Sequence, residues 1–170
     1  MKPRIGVSRC LLGENVRYNG GNRYEAEAIL ALRDEFELVG ICPEVEAGMP
    51  TPRPPARVEG TVFNPRFVFI ESGEDATFQL MNYSVDRFET MVRVPLFGYF
   101  FKKGSPSCDV NGVNLFTREG EVVTQTKGLF AGRFTELFPH APVADEHDLS
   151  TKVGRDKFIA AVHAYYQDTK

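Results

Sequence analysis

Three cysteines, one glutamate and a pair of serines are the residues in this sequence whose types and placement can do chemistry. Cys10 follows the short apolar stretch Arg4–Ser8, and Cys42 follows Glu37–Ile41. Cys108 closes the run Lys102-Lys103-Gly104-Ser105-Pro106-Ser107, which comes directly after the aromatic stretch 96–101. The chain has no other cysteine. A free cysteine is more often a small buried hydrophobe than a ligand. What sets these three apart is their shared position, each beside polar loop residues rather than inside an apolar run. Zinc usually takes four ligands, often in closely spaced pairs, which this chain lacks. The histidines (His140, His147 and His163) all fall in the C-terminal quarter, away from the cysteines. Thiolates alone suit an iron–sulfur cluster, commonly held by four of them. Three leave one iron open, and an open iron is a Lewis acid that can bind a substrate atom. Glu44, two residues after Cys42, is placed to act as a base if its surroundings are apolar. Ser105 and Ser107 offer hydroxyls for proton relay or substrate contact, although Ser-Pro equally favours a plain turn.

The elements that position these residues can be read from periodicity. Arg4–Ser8, Glu37–Ile41 and the stretch 96–101 read as strands, each ending at a cysteine-bearing loop. If the strands are parallel neighbours, the three sulfurs converge at one rim, the carboxyl edge where ligands bind in open α/β sheets. Gly104 and Pro106 forbid regular continuation after the third strand. Asn22 and Glu25 resemble a capping box opening a helix over 26–34. From Pro43 to Pro55 the chain holds five prolines and no strong period, which predicts a long ordered loop. Residues 57–59 and 66–70 read as strands of a small sheet. A helix over 76–93 carries Phe78, Met81, Val85, Phe88 and Val92 at steps of three and four. Val113–Phe116 and residues 121–124 read as a hairpin around Arg118-Glu119-Gly120. Helices follow over 128–138 and 152–167, with a short strand at 142–144 between them. This alternation predicts an α/β fold: a Rossmann-like parallel sheet core, helices on both faces, and a small added β-hairpin region.

The chain has 170 residues, of which 42% are hydrophobic and 25% charged, so residues 1–170 are expected to form a single domain with a sizeable core. The formal net charge of −3 gives no global attraction to nucleic acid or an anionic membrane. No apolar run approaches the roughly 18 residues of a membrane helix. No long apolar region follows Lys2 and Arg4, so no signal peptide is expected. An odd number of widely spaced cysteines argues against a disulfide framework. The expected compartment is the cytoplasm. Locally, Arg17, Arg23, Arg53, Arg57, Lys102 and Lys103 lie in or beside the same loops and are candidates to contact phosphate. Tyr18 is a candidate to stack on a base.

Four blocks in order carry a resemblance. They are Gly6-Val7-Ser8-Arg9-Cys10-Leu11-Leu12-Gly13 with Val16-Arg17-Tyr18-Asn19-Gly20-Gly21, then Cys42-Pro43-Glu44, then Pro52-Arg53-Pro54, then Ser105-Pro106-Ser107-Cys108. Over residues 4 to 166 the chain resembles the thiouracil desulfidase family. The resemblance implies a 4Fe-4S cluster held by Cys10, Cys42 and Cys108, with one open iron that takes the sulfur of a thiocarbonyl. It implies removal of sulfur from 2-thiouracil, or from 2- or 4-thiouridine in tRNA, without net redox change. It further implies catalytic roles for Glu44, as base, and for Ser105. Ser107, Arg17, Tyr18, Arg53 and Lys102 are the candidate substrate contacts. The runs 127–131 and 142–149 resemble the branch of the family in which a second domain follows, as a fusion or companion. Two other readings stay open: a non-catalytic iron–sulfur or zinc module that carries sulfur, and a plain nucleotide-binding domain with structural cysteines.

Overall fold

β1 (Arg4–Ser8) sits inside a parallel sheet, so Ile5 through Ser8 are buried without a break rather than in alternation. Ile5 and Val7 are completely buried. The computed structural model describes residues 1–170. β2 (Glu37–Ile41) pairs with one edge of β1, with Ser8 opposite Ile41, and β5 (Tyr99–Phe100) pairs with the other, with Val7 opposite Phe100. β8 (Val143–Ala144) adds outside β5, giving four parallel strands in the order β2-β1-β5-β8. Gly6 is required by packing: a Cβ there would lie 2.5 Å from the Tyr99 ring.

Helices cover both faces of this sheet, as the alternation predicted. On one face α1 (Ala26–Glu35) and α5 (Lys152–Asp168) bury Ile29, Leu32, Phe158 and Val162 against Ile5, Val7 and Phe100. On the other, α3 (Thr77–Arg93) and α4 (Leu129–Leu137) bury Phe88, Met91, Phe130 and Phe134 against Ile41, Tyr99 and Phe101. The added β region is larger than one hairpin. β3 (Ala56–Gly60) and β4 (Pro65–Phe69) pair antiparallel, as do β6 (Val113–Phe116) and β7 (Val122–Thr126). A parallel pairing of β3 with β6 joins the two hairpins into a second four-stranded sheet, ordered β4-β3-β6-β7. Its buried face (Val58, Phe67 and Leu115) packs on Leu80 of α3 and Leu129 of α4, so both helices serve both sheets.

Three local expectations need correction. Asn22 does not cap α1: its carbonyl oxygen accepts from the Tyr24 N–H and its amide donates to Asn15. The Arg23 and Glu25 N–H groups bond the carbonyls of Cys10 and Leu11 instead, which delays the helix to Ala26 and braces the turn carrying Cys10. The proline-rich segment is not all loop, because α2 (Pro43–Glu46) makes one helical turn. Pro43 occupies its first position, where a missing N–H costs nothing and φ is already helical. The buried stripe of α3 is Thr77, Leu80, Ser84, Phe88 and Met91, whereas Phe78, Val85 and Val92 are exposed. Both stripes have helical spacing. The one with small polar residues wins because these satisfy themselves: the Ser84 hydroxyl donates to the Leu80 carbonyl, and the Thr77 hydroxyl accepts from the Phe67 N–H.

Candidate active site

Because β2, β1 and β5 are parallel neighbours, their carboxyl ends open onto one rim. β1 runs into a 3-10 turn, Arg9–Leu12, which carries Cys10. Cys42 is the residue before α2, and Cys108 lies in the loop after β5. All three line a single cavity of about 330 Å³, together with Glu44, Ser105 and Ser107. Cys10 and Cys108 are buried and Cys42 is half-buried; all are free thiols. Burial pushes Cys10 up to about 12 and raises Cys42 and Cys108 as well. At Cys108 the neighbouring Cys42 adds to the rise, and at Cys42 the Val45 backbone N–H opposes it. Such thiols stay protonated at neutral pH unless a cation displaces the proton. No three His, Cys, Asp or Glu side chains converge tightly enough to hold a single metal ion. The three thiols share a cavity wall without meeting at a point, and no histidine or carboxylate completes a mononuclear set around them. A soft polynuclear centre, with its own bridging atoms to fill the middle, fits this donor set.

The Cys108 loop is hung on the amino end of α4. The Leu129 N–H donates to the Pro106 carbonyl at 3.0 Å, and those of Phe130 and Ala131 to the Ser107 carbonyl at 2.9 and 3.0 Å. Helix-end donors that would lack partners are thus spent on the loop. The approach leaves no room for a side chain at residue 128, where a Cβ would lie 2.5 Å from the Ser107 carbonyl carbon. The other side of the loop is organised by the buried Asp109 carboxylate, which accepts from the N–H groups of Gly104 (2.6 Å), Asn111 (3.0 Å) and Gly112.

Glu44 has polar partners, not the apolar surroundings looked for in the sequence. One carboxylate oxygen accepts the Ser107 hydroxyl at 2.6 Å, and the other accepts Arg53 Nε at 3.0 Å. Ser107 Oγ is 3.1 Å from Ser105 Oγ. The Ser107 proton is committed to the carboxylate, so Ser105 donates across that gap. Ser105 Oγ also accepts the N–H groups of Cys108 (3.0 Å) and Ser107 (3.2 Å). The hydroxyl beside Glu44 is therefore that of Ser107, with Ser105 one hydrogen bond further back.

The candidate cations separate. Arg53 lines the cavity but its side chain is only 3% exposed, and its guanidinium is spent on Glu44, the carbonyls of Val16 (2.9 Å) and Pro50 (3.2 Å), and Thr51 Oγ1 (3.1 Å). It holds Glu44 and has four of its five N–H donors engaged, so no bidentate fork is left for a phosphate. Lys102 lines the cavity with its ammonium paired to Glu146 at 2.7 Å. Arg57 pairs with Glu59 on the second sheet, and Arg23 is exposed outside the cavity wall. Arg17, Lys103 and Tyr18 remain at the cavity wall. Tyr18 is exposed, with the Arg17 guanidinium 5.7 Å from its ring centre, and Lys103 is exposed.

The sequence profile of 2-thiouracil desulfurases matches residues 5–146. The chain belongs to the 2-thiouracil desulfurase family. Among curated relatives, the uncharacterized protein YbbK of Bacillus subtilis (strain 168) is 32% identical over 125 residues, spanning 71% of this chain and 82% of the relative. Among solved structures, that of the 4Fe-4S-dependent thiouracil desulfidase TudS superposes with a TM-score of 0.69 at 32% identity, covering 88% of this chain and 94% of that one. The matched family region spans all three cysteines, Glu44 and both serines. No helix is long and apolar enough to cross a membrane.

Four site-building residues were not singled out in the sequence of this 2-thiouracil desulfurase family member. Ser8 is buried at the cavity wall, and its hydroxyl oxygen accepts the Lys102 N–H at 3.0 Å. Asp109 shapes the Cys108 loop, and Glu46 and Tyr83 brace Cys42. Only Asp109 left a trace in the sequence, as an acid directly before a Val-Asn-Gly turn; the others look like ordinary strand or helix residues.

Proposed function

We propose that this protein removes sulfur from a thiolated pyrimidine at a 4Fe-4S cluster held by Cys10, Cys42 and Cys108. The observation that carries the reading is the meeting of three free thiols with the Glu44–Ser107 pair on the wall of one cavity. Bound there, the cluster supplies a thiophilic Lewis acid that polarises the carbon–sulfur bond. Net, a thiocarbonyl and water become a carbonyl and sulfide, and no oxidation state changes.

The chain's own groups supply the remainder. Glu44 accepts a proton from the attacking water, with its reach fixed by Arg53. The Ser107 hydroxyl passes a proton between Glu44 and the cavity, and Ser105 orients that hydroxyl while fixing the Cys108 turn. Tyr18 stacks on the pyrimidine, and Arg17 and Lys103 lie where a phosphate attached to it would sit. Lys102, paired with Glu146, shapes the rim. The substrate is free 2-thiouracil or a 2- or 4-thiouridine of tRNA; a base in structured RNA has to be turned out of its stack to enter. Residues 1–170 act as one domain in this reading, supported by the sharing of α3 and α4 between both sheets.

The test is anaerobic reconstitution with iron and sulfide, followed by an absorption spectrum, iron and sulfide analysis, and a thiouracil turnover assay. Loading of one cluster per chain with release of sulfide and uracil is the expected result. Loading without turnover would leave a sulfur or cluster carrier, and failure to load in the wild type would remove the cluster altogether.

A further inference from the structure

Beside Cys42, outside the cavity lining, a second carboxylate is clamped by two donors. Glu46 Oε2 accepts the backbone N–H of Cys42 at 2.6 Å, and Glu46 Oε1 accepts the hydroxyl of Tyr83, from the middle of α3, at 2.6 Å. The Tyr83 distance is that of a charge-assisted O–H···O⁻ hydrogen bond. The arrangement resembles a capping box, in which a side chain of the first helical turn reaches back to the N–H of the residue before the helix. Here the capped residue is a cysteine on the cavity wall, and a tyrosine from another helix holds the capping carboxylate in place. The contact is local in α2 but anchored 37 residues away, so it locks a four-residue helix that could not hold its own geometry.

We propose that Glu46, held by Tyr83, is a positioning residue for Cys42. It fixes the Cys42 main chain and keeps a negative charge beside its backbone N–H, which lowers the reduction potential of a cluster bound through that residue. The second half rests on the assignment of Cys42 as a cluster ligand. Net charge around an iron–sulfur centre is one of the terms that set its reduction potential. A nearby anion disfavours the extra electron of the reduced form, so the potential falls. That suits a reaction in which no electron is transferred, because a cluster that resists reduction keeps its thiophilic character.

The experiment has two arms, each using the full chain. In the apoprotein, alkylation of Cys42 by iodoacetamide is followed peptide by peptide in wild type, Tyr83→Phe and Glu46→Gln. Loss of the clamp accelerates Cys42 about fivefold in both variants, the factor expected for one hydrogen bond of ordinary strength, while Cys10 and Cys108 keep their rates. Equal Cys42 rates in all three proteins overturn the positioning role. In the reconstituted protein, the midpoint potential of the cluster is read by dye titration with electron paramagnetic resonance. Glu46→Gln, which keeps the shape and removes the charge, moves the midpoint to a less negative value. Tyr83→Phe, which keeps the charge, does not. A Glu46→Gln midpoint equal to that of wild type overturns the electrostatic role. If the wild type takes up no cluster, the ligand assignment itself fails, and the alkylation arm still decides whether Glu46 and Tyr83 hold Cys42.

Discussion

The Ser107 hydroxyl donates to Glu44 across 2.6 Å, joining the loop after β5 to the helical turn after β2, 63 residues away in sequence. The same serine contributes its carbonyl to the amino end of α4, and its neighbour is Cys108. A thiol, a proton-carrying hydroxyl and a carboxylate are thereby fixed in one frame.

Glu44→Gln keeps the size and hydrogen-bonding reach but cannot take a proton from water as a carboxylate does. It is expected to load the cluster normally and to turn over at least about a hundred times more slowly. Ser107→Ala should lose more rate than Ser105→Ala, because only Ser107 touches Glu44. The measurement is single-turnover desulfuration on cluster-matched samples; equal rates for wild type and Glu44→Gln would take the carboxylate out of the mechanism.

Arg53→Met leaves the part-buried Glu44 carboxylate, 13% exposed, without its partner and strands the carbonyls of Val16 and Pro50. Removing one side of a buried ion pair costs about 3–5 kcal/mol, so the urea midpoint should fall by a corresponding amount. Arg53→Lys keeps the charge but cannot reproduce a fork serving four acceptors, and should recover only part of the loss. Full stability in Arg53→Met would show that the pair contributes little.

Gly128→Ala drives a methyl group into the Ser107 carbonyl, and overpacking of this kind costs about 1–3 kcal/mol. The displaced segment carries Ser107 and Cys108, so cluster loading should fall along with stability. Gly132→Ala, one turn along the same helix with its nearest neighbour 3.5 Å from the new Cβ, is the control and should be neutral or stabilising. Identical loading in the two variants would mean that the α4 contact does not position the loop.

The buried thiols make the apoprotein sensitive to alkali. Cys10 titrates at about 12 in the folded chain against an ordinary value of 9.0. Between those values the unfolded chain releases the proton and the folded chain keeps it, so this contribution to stability is intact below about pH 9 and is lost as pH rises toward 12. Thermal melts of the apoprotein should show a steeper decline over that window than melts of Cys10→Ser, which lacks the titration. Parallel curves would indicate that Cys10 titrates normally when folded.

Salt separates the two substrate scales. Phosphate contacts release counterions, so activity on thiolated tRNA should fall steeply as salt rises while activity on free thiouracil barely changes. Arg17→Gln and Lys103→Gln should flatten the tRNA response, each by roughly one contact, and Lys102→Gln should not, because its ammonium is already paired with Glu146. The same salt profile for both substrates would count against a phosphate-binding rim.

The sequence alone determined the parallel core and the placement of the three cysteines. Short apolar stretches mark the strands, each cysteine follows one of them within a few residues, and Pro43, Gly104 and Pro106 break the chain beside Cys42 and Cys108; these are local properties, readable within ten residues. Which partners each polar group takes was decided only by tertiary structure. Glu44 meets Ser107 and Arg53 reaches Val16 across separations of 63 and 37 residues, and nothing in the local pattern distinguishes Ser107 from Ser105 or a buried arginine from a solvated one. The same holds for α3, where two stripes at helical spacing competed. The less apolar one faces inward because two sheets converge on that helix, and small residues whose hydroxyls find backbone partners let them approach.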